Sequence, residues 1–318
     1  MPNDGLTVQL RGSAFKYGWV CLFAFAVLVN AGCAAERDLS SFSIVILPDT
    51  QLYSQSFPDV YTAQATWIRQ RVRADNIKFV IHLGDIVQNP ELEEEWHNAH
   101  RAHQILDGVV PYSMLPGNHD MVDGTAPLYN KYFGPKRFEK NDWYAGHLAP
   151  NNDHNYCKFD VAGMKFVVLS LGYDPSTEAL EWANEVCDRH ADDRIIVATH
   201  EYLISDNSQN IKEDARTGIG NRIWHNLIRK HSNIFMVLCG HLEPCTLIAN
   251  VNDAGGMVYQ MMANYQSGPN GGNGWLRTIR FVPLEQKIYV ESYSPFLEQY
   301  NSKPRHTFAL TYEMPVKE

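Results

Sequence analysis

Apolar runs along this chain end repeatedly in polar turns that carry metal-binding side-chain types. Ser43 to Pro48 leads into Asp49, Thr50 and Gln51, and Phe79 to Leu83 into Gly84 and Asp85. Val109 to Leu115 leads into Pro116, Gly117, Asn118, His119 and Asp120. Arg194 to Thr199 delivers His200, and Ile234 to Cys239 delivers Gly240, His241 and, two residues on, Glu243. Runs this short and this rich in β-branched residues predict buried strands. Between the first two, Tyr61, Ala65, Ile68 and Val72 share one helical face and predict a helix over 59–73. A second helix is predicted over 91–106, its acidic first turn suiting the helix dipole, and a third over 177–190. Strands alternating with helices predict an α/β fold, in which ligands gather at the strand carboxyl ends. The side chains at those ends would then meet on one edge.

The remaining pattern fills in around this frame. Residues 125–152 break into aromatics, Gly and Pro, too long for a plain connection and expected to form a cap or pocket wall. A hairpin is predicted from 156–160 and 164–169 around Val161-Ala162-Gly163, and a polar loop over 204–220 beside the site mouth. Strands are predicted over 246–251, 257–262, 276–282 and 287–293. The polar turns run from Asp49 to Glu243, so no cut between them leaves the set intact. One domain over 40–300 is expected, with 301–318 as a C-terminal strand or tail.

The N-terminus is separate. Arg11 and Lys16 precede an apolar stretch from Tyr17 to Val29 and small residues from Ala31 to Ala35, the layout of a secretory signal over 1–35. The stretch is shorter than the roughly 20 residues a spanning helix prefers, which favours cleavage over an uncleaved anchor. Ala31-Gly32-Cys33 also resembles the end of a bacterial lipobox, which would lipidate Cys33. An exported protein, secreted or periplasmic, is expected, with the membrane touched only through a retained signal or a lipidated Cys33.

Composition narrows the partners. The chain has 318 residues with 45% hydrophobic and 20% charged content, an ordinary globule. A formal net charge of −9 argues against nucleic-acid binding driven by phosphate neutralisation. Beyond the signal lie Cys157, Cys187, Cys239 and Cys245, none in Cys-x-x-Cys spacing. A Cys239–Cys245 disulfide would brace the Gly240-His241 turn; four buried thiols are the alternative.

The order Asp49-x-Gln51, Gly84-Asp85, Gly117-Asn118-His119-Asp120, His200, Gly240-His241-x-Glu243 resembles the calcineurin-like metallophosphoesterases. Leu47 to Tyr53, Phe79 to Val87, Trp182 to Val186 and Pro269 to Trp275 look like a bacterial-type branch of that family. The resemblance implies a four-layer sandwich, two mixed β-sheets flanked by helices. It also implies two metal ions and a bridging hydroxide that attacks a phosphate ester. Carried across by position, Asp85 bridges the metals, Asn118, His200 and His241 complete the second, and Asp49, Gln51 and Glu243 complete the first. His119 would protonate the leaving oxygen or stabilise phosphoryl charge, with Asp120 orienting its imidazole. Tyr53, Asn155, Tyr202, Trp275 and Arg277 are candidates to line the substrate pocket. His82, His97, His100 and His103 read as packing or helix-surface residues rather than ligands.

Two positions depart from the broad family pattern, Gln51 and Glu243, each standing where a His is usual. An all-oxygen first site favours Mg, Mn or Fe over Zn, while the second suits Zn, Mn or Fe. The extra carboxylate lowers the charge of the cluster, so iron or manganese there, or an alkaline-shifted optimum, is expected. The leading reading is an exported hydrolase of a small phosphate ester. The alternatives are a non-catalytic ligand-binding descendant with an impaired first site, and a phosphodiesterase or nuclease with the same chemistry.

Overall fold

The computed structural model describes residues 41–204 and 215–316, so the expected signal over 1–35, Cys33 included, and most of the 204–220 loop lie outside the described residues. No described helix is long and apolar enough to cross a membrane.

In chain order the strands are β1 (Phe42–Leu47), β2 (Ile77–His82), β3 (Tyr112–Ser113), β4 (Tyr144–His147), β5 (His154–Val161), β6 (Met164–Leu171) and β7 (Arg194–Thr199). They continue with β8 (Ile234–Cys239), β9 (Thr246–Val251), β10 (Met257–Met262), β11 (Leu276–Val282), β12 (Lys287–Ser294), β13 (Gln299–Asn301) and β14 (Thr307–Thr311). One sheet runs β13-β12-β11-β1-β2-β3, with β14 also on β12; the other runs β4-β5-β6-β7-β8-β10-β9. Both are mixed: β1, β2 and β3 are parallel, as are β6, β7, β8 and β10, and the flanking strands are antiparallel.

The alternation along β1 explains the layers. Ile44 and Ile46 point between the sheets, against Phe166, Val168, Ile196 and Leu238 of the second sheet. Val45 and Leu47 point outward, against Tyr61, Ala65, Ile68 and Trp96 of the helices Pro58–Arg71 and Glu93–Gln104. The second sheet repeats the arrangement, with Val167, Leu169 and Val197 packed on Val186 and Ile223 of helices Thr177–Arg189 and Gly218–Asn226. A strand buried on both faces needs apolar residues at every position, which is why the runs are continuous rather than alternating. The expected four-layer α/β sandwich is the observed fold.

Differences are local. Residues 127–138 form two short helices whose Tyr129, Phe133 and Phe138 pack into the outer core of the first sheet, so this segment closes a layer. The segment 301–318, expected as a C-terminal strand or tail, carries β14, which pairs with β12 and so joins the first sheet. The four cysteines are free and buried. A Cys239–Cys245 disulfide is not present: Cys239 ends β8, Cys245 precedes β9, and β10 lies between those two strands. Two strand spacings, about 9.6 Å, exceed the reach of a disulfide.

Candidate metal centre

The parallel strands of both sheets end on the same edge. The turns after β1, β2 and β3 carry Asp49, Asp85 and Asn118, and those after β7 and β8 carry His200 and His241. The backbone turns sharply to present them: Gly84 and Asp85 have φ of +88° and +50°, and His241 has φ of +68°. Left-handed conformations at non-glycine residues concentrate at functional sites. Two glycines allow close approach. A Cβ on Gly117 would sit 2.2 Å from Asp85 Oδ1, and one on Gly240 would sit 2.3 Å from Asp49 Oδ2.

One ligand atom each from Asp85, His200 and His241 lies within 4.8 Å of the others. His200 is fully buried, with Nδ1 2.8 Å from the Leu83 carbonyl. Nδ1–H therefore donates there, which points Nε2 at two acceptors, Asn118 Oδ1 at 3.0 Å and Asp85 Oδ1 at 3.2 Å. A neutral imidazole would bring three lone pairs together, an arrangement that a shared cation relieves. Without metal that cation is a proton: burial opposes the charge, but Asp85 raises the His200 pKa to about 10. Burial also opposes charge on Asp85, and His200 outweighs it, holding the carboxyl below its usual range.

The other donors are less complete. Asp49 is buried and accepts the His241 backbone N–H at Oδ1, while Oδ2 has no partner among the described residues. Burial pushes its carboxyl well above the usual range. Gln51 donates from Nε2 to Gln88 Oε1 at 2.7 Å, and its buried Oε1 has no partner among the described residues. Unpaired buried acceptors cost about 1–3 kcal/mol each. These oxygens therefore suit a hard cation, and the donor set fits the expected metal chemistry. Glu243 is different. The Ser267 backbone N–H donates to its Oε1 at 3.0 Å and the Ser267 hydroxyl to its Oε2, and the three-residue donor group does not include it.

His119 and Asp120 separate as well. The His119 backbone N–H donates to Asp85 Oδ1 at 2.9 Å, and its ring Nδ1 lies 3.1 Å from the Gln88 carbonyl. Asp120 does not orient that imidazole. Its buried carboxylate accepts the backbone N–H groups of Gly117, Ile86 and Val87 at 2.8, 2.8 and 3.0 Å. Asp120 thus ties two ligand-bearing turns together, and Gln88 holds the imidazole. Burial, then Asp85, raises the Asp120 pKa to about 7, against the lowering effect of those amides.

Four of the five expected pocket residues are buried with polar atoms bonded internally, though the Arg277 Nε has no partner among the described residues. The Tyr53 hydroxyl accepts the Gly274 N–H, and Asn155 donates to the Met114 and Asn152 carbonyls. Tyr202 donates to Gln260, and Arg277 spans the sheets to the Met262 and Arg305 carbonyls. Trp275 is partly exposed, its ring 6.4 Å from that of Tyr265.

The wall beside the imidazoles comes from Tyr173 and Glu201, which the sequence reading missed. The Tyr173 ring lies 6.1 Å from that of His200 and 6.2 Å from that of His241. Glu201 Oε2 lies 3.5 Å from His241 Nε2. Tyr173 follows the end of β6 as the ligands follow theirs, so the strand-end rule could have found it.

The result is a two-sheet α/β sandwich with carboxylate, amide and imidazole donors at its strand ends, a candidate metal site. The chain belongs to the calcineurin-like phosphoesterase family, whose pattern matches residues 42–242. It is 33% identical over 317 residues to "Uncharacterized protein YvnB" of Bacillus subtilis (strain 168), covering 97% of this chain and 24% of that protein. The chain thus spans about a quarter of the length of that relative. Purple acid phosphatase PPD1 from yellow lupin shares the fold with a TM-score of 0.58 at 14% identity, covering 86% of this chain and 54% of that one. GAP50, the anchor in the inner membrane complex of Plasmodium, has a TM-score of 0.52 at 11% identity, covering 88% and 90%.

Proposed function

We propose that this protein hydrolyses phosphate esters with a dinuclear metal centre. Asp85, Asn118, His200 and His241 would hold one ion, and Asp49, Gln51 and Asp85 the other, with Glu243 at its margin. When bound, such a pair supplies Lewis-acid activation of water between the ions and of the phosphoryl oxygens. The protein does the rest. His119, its Nδ1–H committed to the Gln88 carbonyl, has Nε2 left to carry a proton to the leaving oxygen. Tyr173 and Glu201 form an aromatic and acidic wall that selects among leaving groups. The observation that carries this reading is the convergence of three lone pairs on one point, at Asp85, Asn118 and His200.

The substrate in this proposal is a small phosphate ester, and the protein acts outside the cytoplasm. Metal analysis, followed by assays on phosphomonoester and phosphodiester substrates with Mn, Fe, Zn and Mg, tests the activity and assigns the ester class. Asn118→Ala and His241→Ala should lose both metal and turnover while keeping the wild-type circular dichroism spectrum. Robust turnover by either variant would refute the assignment.

A second reading draws on Glu243, whose bonds to Ser267 favour a thinly coordinated first site. A member holding one ion and binding a ligand without turnover follows from it. One tightly bound metal per chain and no activity on either ester class would select that reading.

A further inference from the structure

His82 is fully buried at the end of β2, three residues before Asp85, and belongs to neither expected ligand set. Burying an imidazole in place of an apolar side chain is costly unless both nitrogens are bonded. Both are. The Gly84 backbone N–H donates to Nδ1 at 3.1 Å, which fixes Nδ1 as the acceptor. The ring proton of the neutral imidazole is then on Nε2, 3.0 Å from Thr50 Oγ1. Thr50, receiving that proton, passes its own to the Ile86 carbonyl at 3.3 Å. Ser54 donates to the same carbonyl at 2.6 Å.

The connectivity matters more than any single bond. Gly84 and Ile86 are the two neighbours of Asp85, and Thr50 lies between Asp49 and Gln51. Running from Gly84 N–H through His82 and Thr50 to Ile86 C=O, the chain of bonds grips both flanks of one ligand and anchors them between two others. A ring of this kind sets the separation of two turns whose bonded residues, Thr50 and His82, are 32 residues apart in the chain. We propose that His82 and Thr50 are positioning residues that set the spacing between the Asp49/Gln51 turn and the Asp85 turn, and so the affinity of the first metal. This rests on the dinuclear reading above. Neither residue touches substrate.

The isosteric pair Thr50→Val and Thr50→Ser on the full chain provides the test, with manganese titrated by calorimetry and retained metal counted after dialysis. Thr50→Val should weaken one of the two manganese sites by about 10–100-fold, the usual effect of removing an outer bond from a ligand. Thr50→Ser should restore it, because the hydroxyl and not the methyl carries the bond. Turnover of Thr50→Val should recover at saturating manganese, which a general loss of structure would not permit. His82→Phe should give the same loss or a larger one. If it fails to fold, the threonine pair decides alone.

A second readout needs no metal. In 15N-resolved NMR spectra, His82 should be neutral with its proton on Nε2. A charged ring, or one protonated on Nδ1, would overturn the proposal. So would a folded Thr50→Val that binds two manganese ions as tightly as the wild type. A wild-type protein that binds no manganese would sink the dinuclear reading itself, an outcome distinct from equal binding by all variants.

Discussion

Asp85, Asn118, His200 and His241 already point their donors at one another, whereas Asp49, Gln51 and Glu243 do not form an equivalent cluster. The contrast follows from what each donor can do without a cation. On the imidazole side a proton on His200 bonds Asp85 and Asn118, so the arrangement is held in the absence of metal. On the other side two oxygens are buried without partners, and Glu243 has found Ser267. One half of the proposed centre is preassembled by charge; the other would be assembled by backbone and by outer bonds. Binding on the second side should depend more on the metal and on the residues that steady the turns.

The comparison yields graded expectations. Asp85→Asn removes the carboxylate that would serve both halves of the proposed centre. Turnover should fall by about 10³–10⁴-fold, the several kcal/mol that metal activation contributes, and both ions should be lost in metal analysis. His119→Ala should cost about 10²–10³-fold in turnover while metal content stays at the wild-type level. Loss of metal in that variant would show that His119 supports the cluster instead.

Proton and metal compete on the imidazole side. His200 has a pKa of about 10 in the metal-free protein, so below that pH each ion bound there must displace a proton. Affinity at this site should rise about tenfold per pH unit between pH 6 and 8, with close to one proton released. Calorimetry in two buffers of different ionisation enthalpy measures that release. An affinity independent of pH would mean that the cluster is not held by a shared proton.

The smallest effect is expected from Glu243→Ala. Losing the Ser267 contacts should reduce turnover by about fivefold, the equivalent of about 1 kcal/mol. A loss as deep as that of His241→Ala would show that the carboxylate turns to ligate the first ion when metal is present.

The fold was legible because both sheets are covered on both faces. Ile44 to Leu47 and Ile195 to Ala198 therefore read as unbroken apolar runs, and their ends carried the donor types. The family resemblance rested on those same ends. What could not be read were partners chosen by tertiary structure. A backbone carbonyl has no signature, so Gln88 gave no hint that it holds His119 in place of Asp120. Tyr202, Asn155 and Arg277 look like pocket residues by type, yet burial gives the Tyr202 hydroxyl, the Asn155 amide and the Arg277 NH groups internal acceptors. His82 reads by type as a packing residue, and its place between two turns depends on Thr50, 32 residues away in the chain. Glu243 meets Ser267 because the turn after β8 and the loop after β10 rise side by side, a register that no local pattern encodes.

The donors divide by layer: Asp49, Asp85 and Asn118 rise from one sheet, His200 and His241 from the other. A cation gripped by both acts as a rivet through two plates, resisting any slide of one slab over its neighbour. Stripping it out should loosen the sandwich at that rim first, and each sheet would then be free to breathe against the other while its own ladder stays intact.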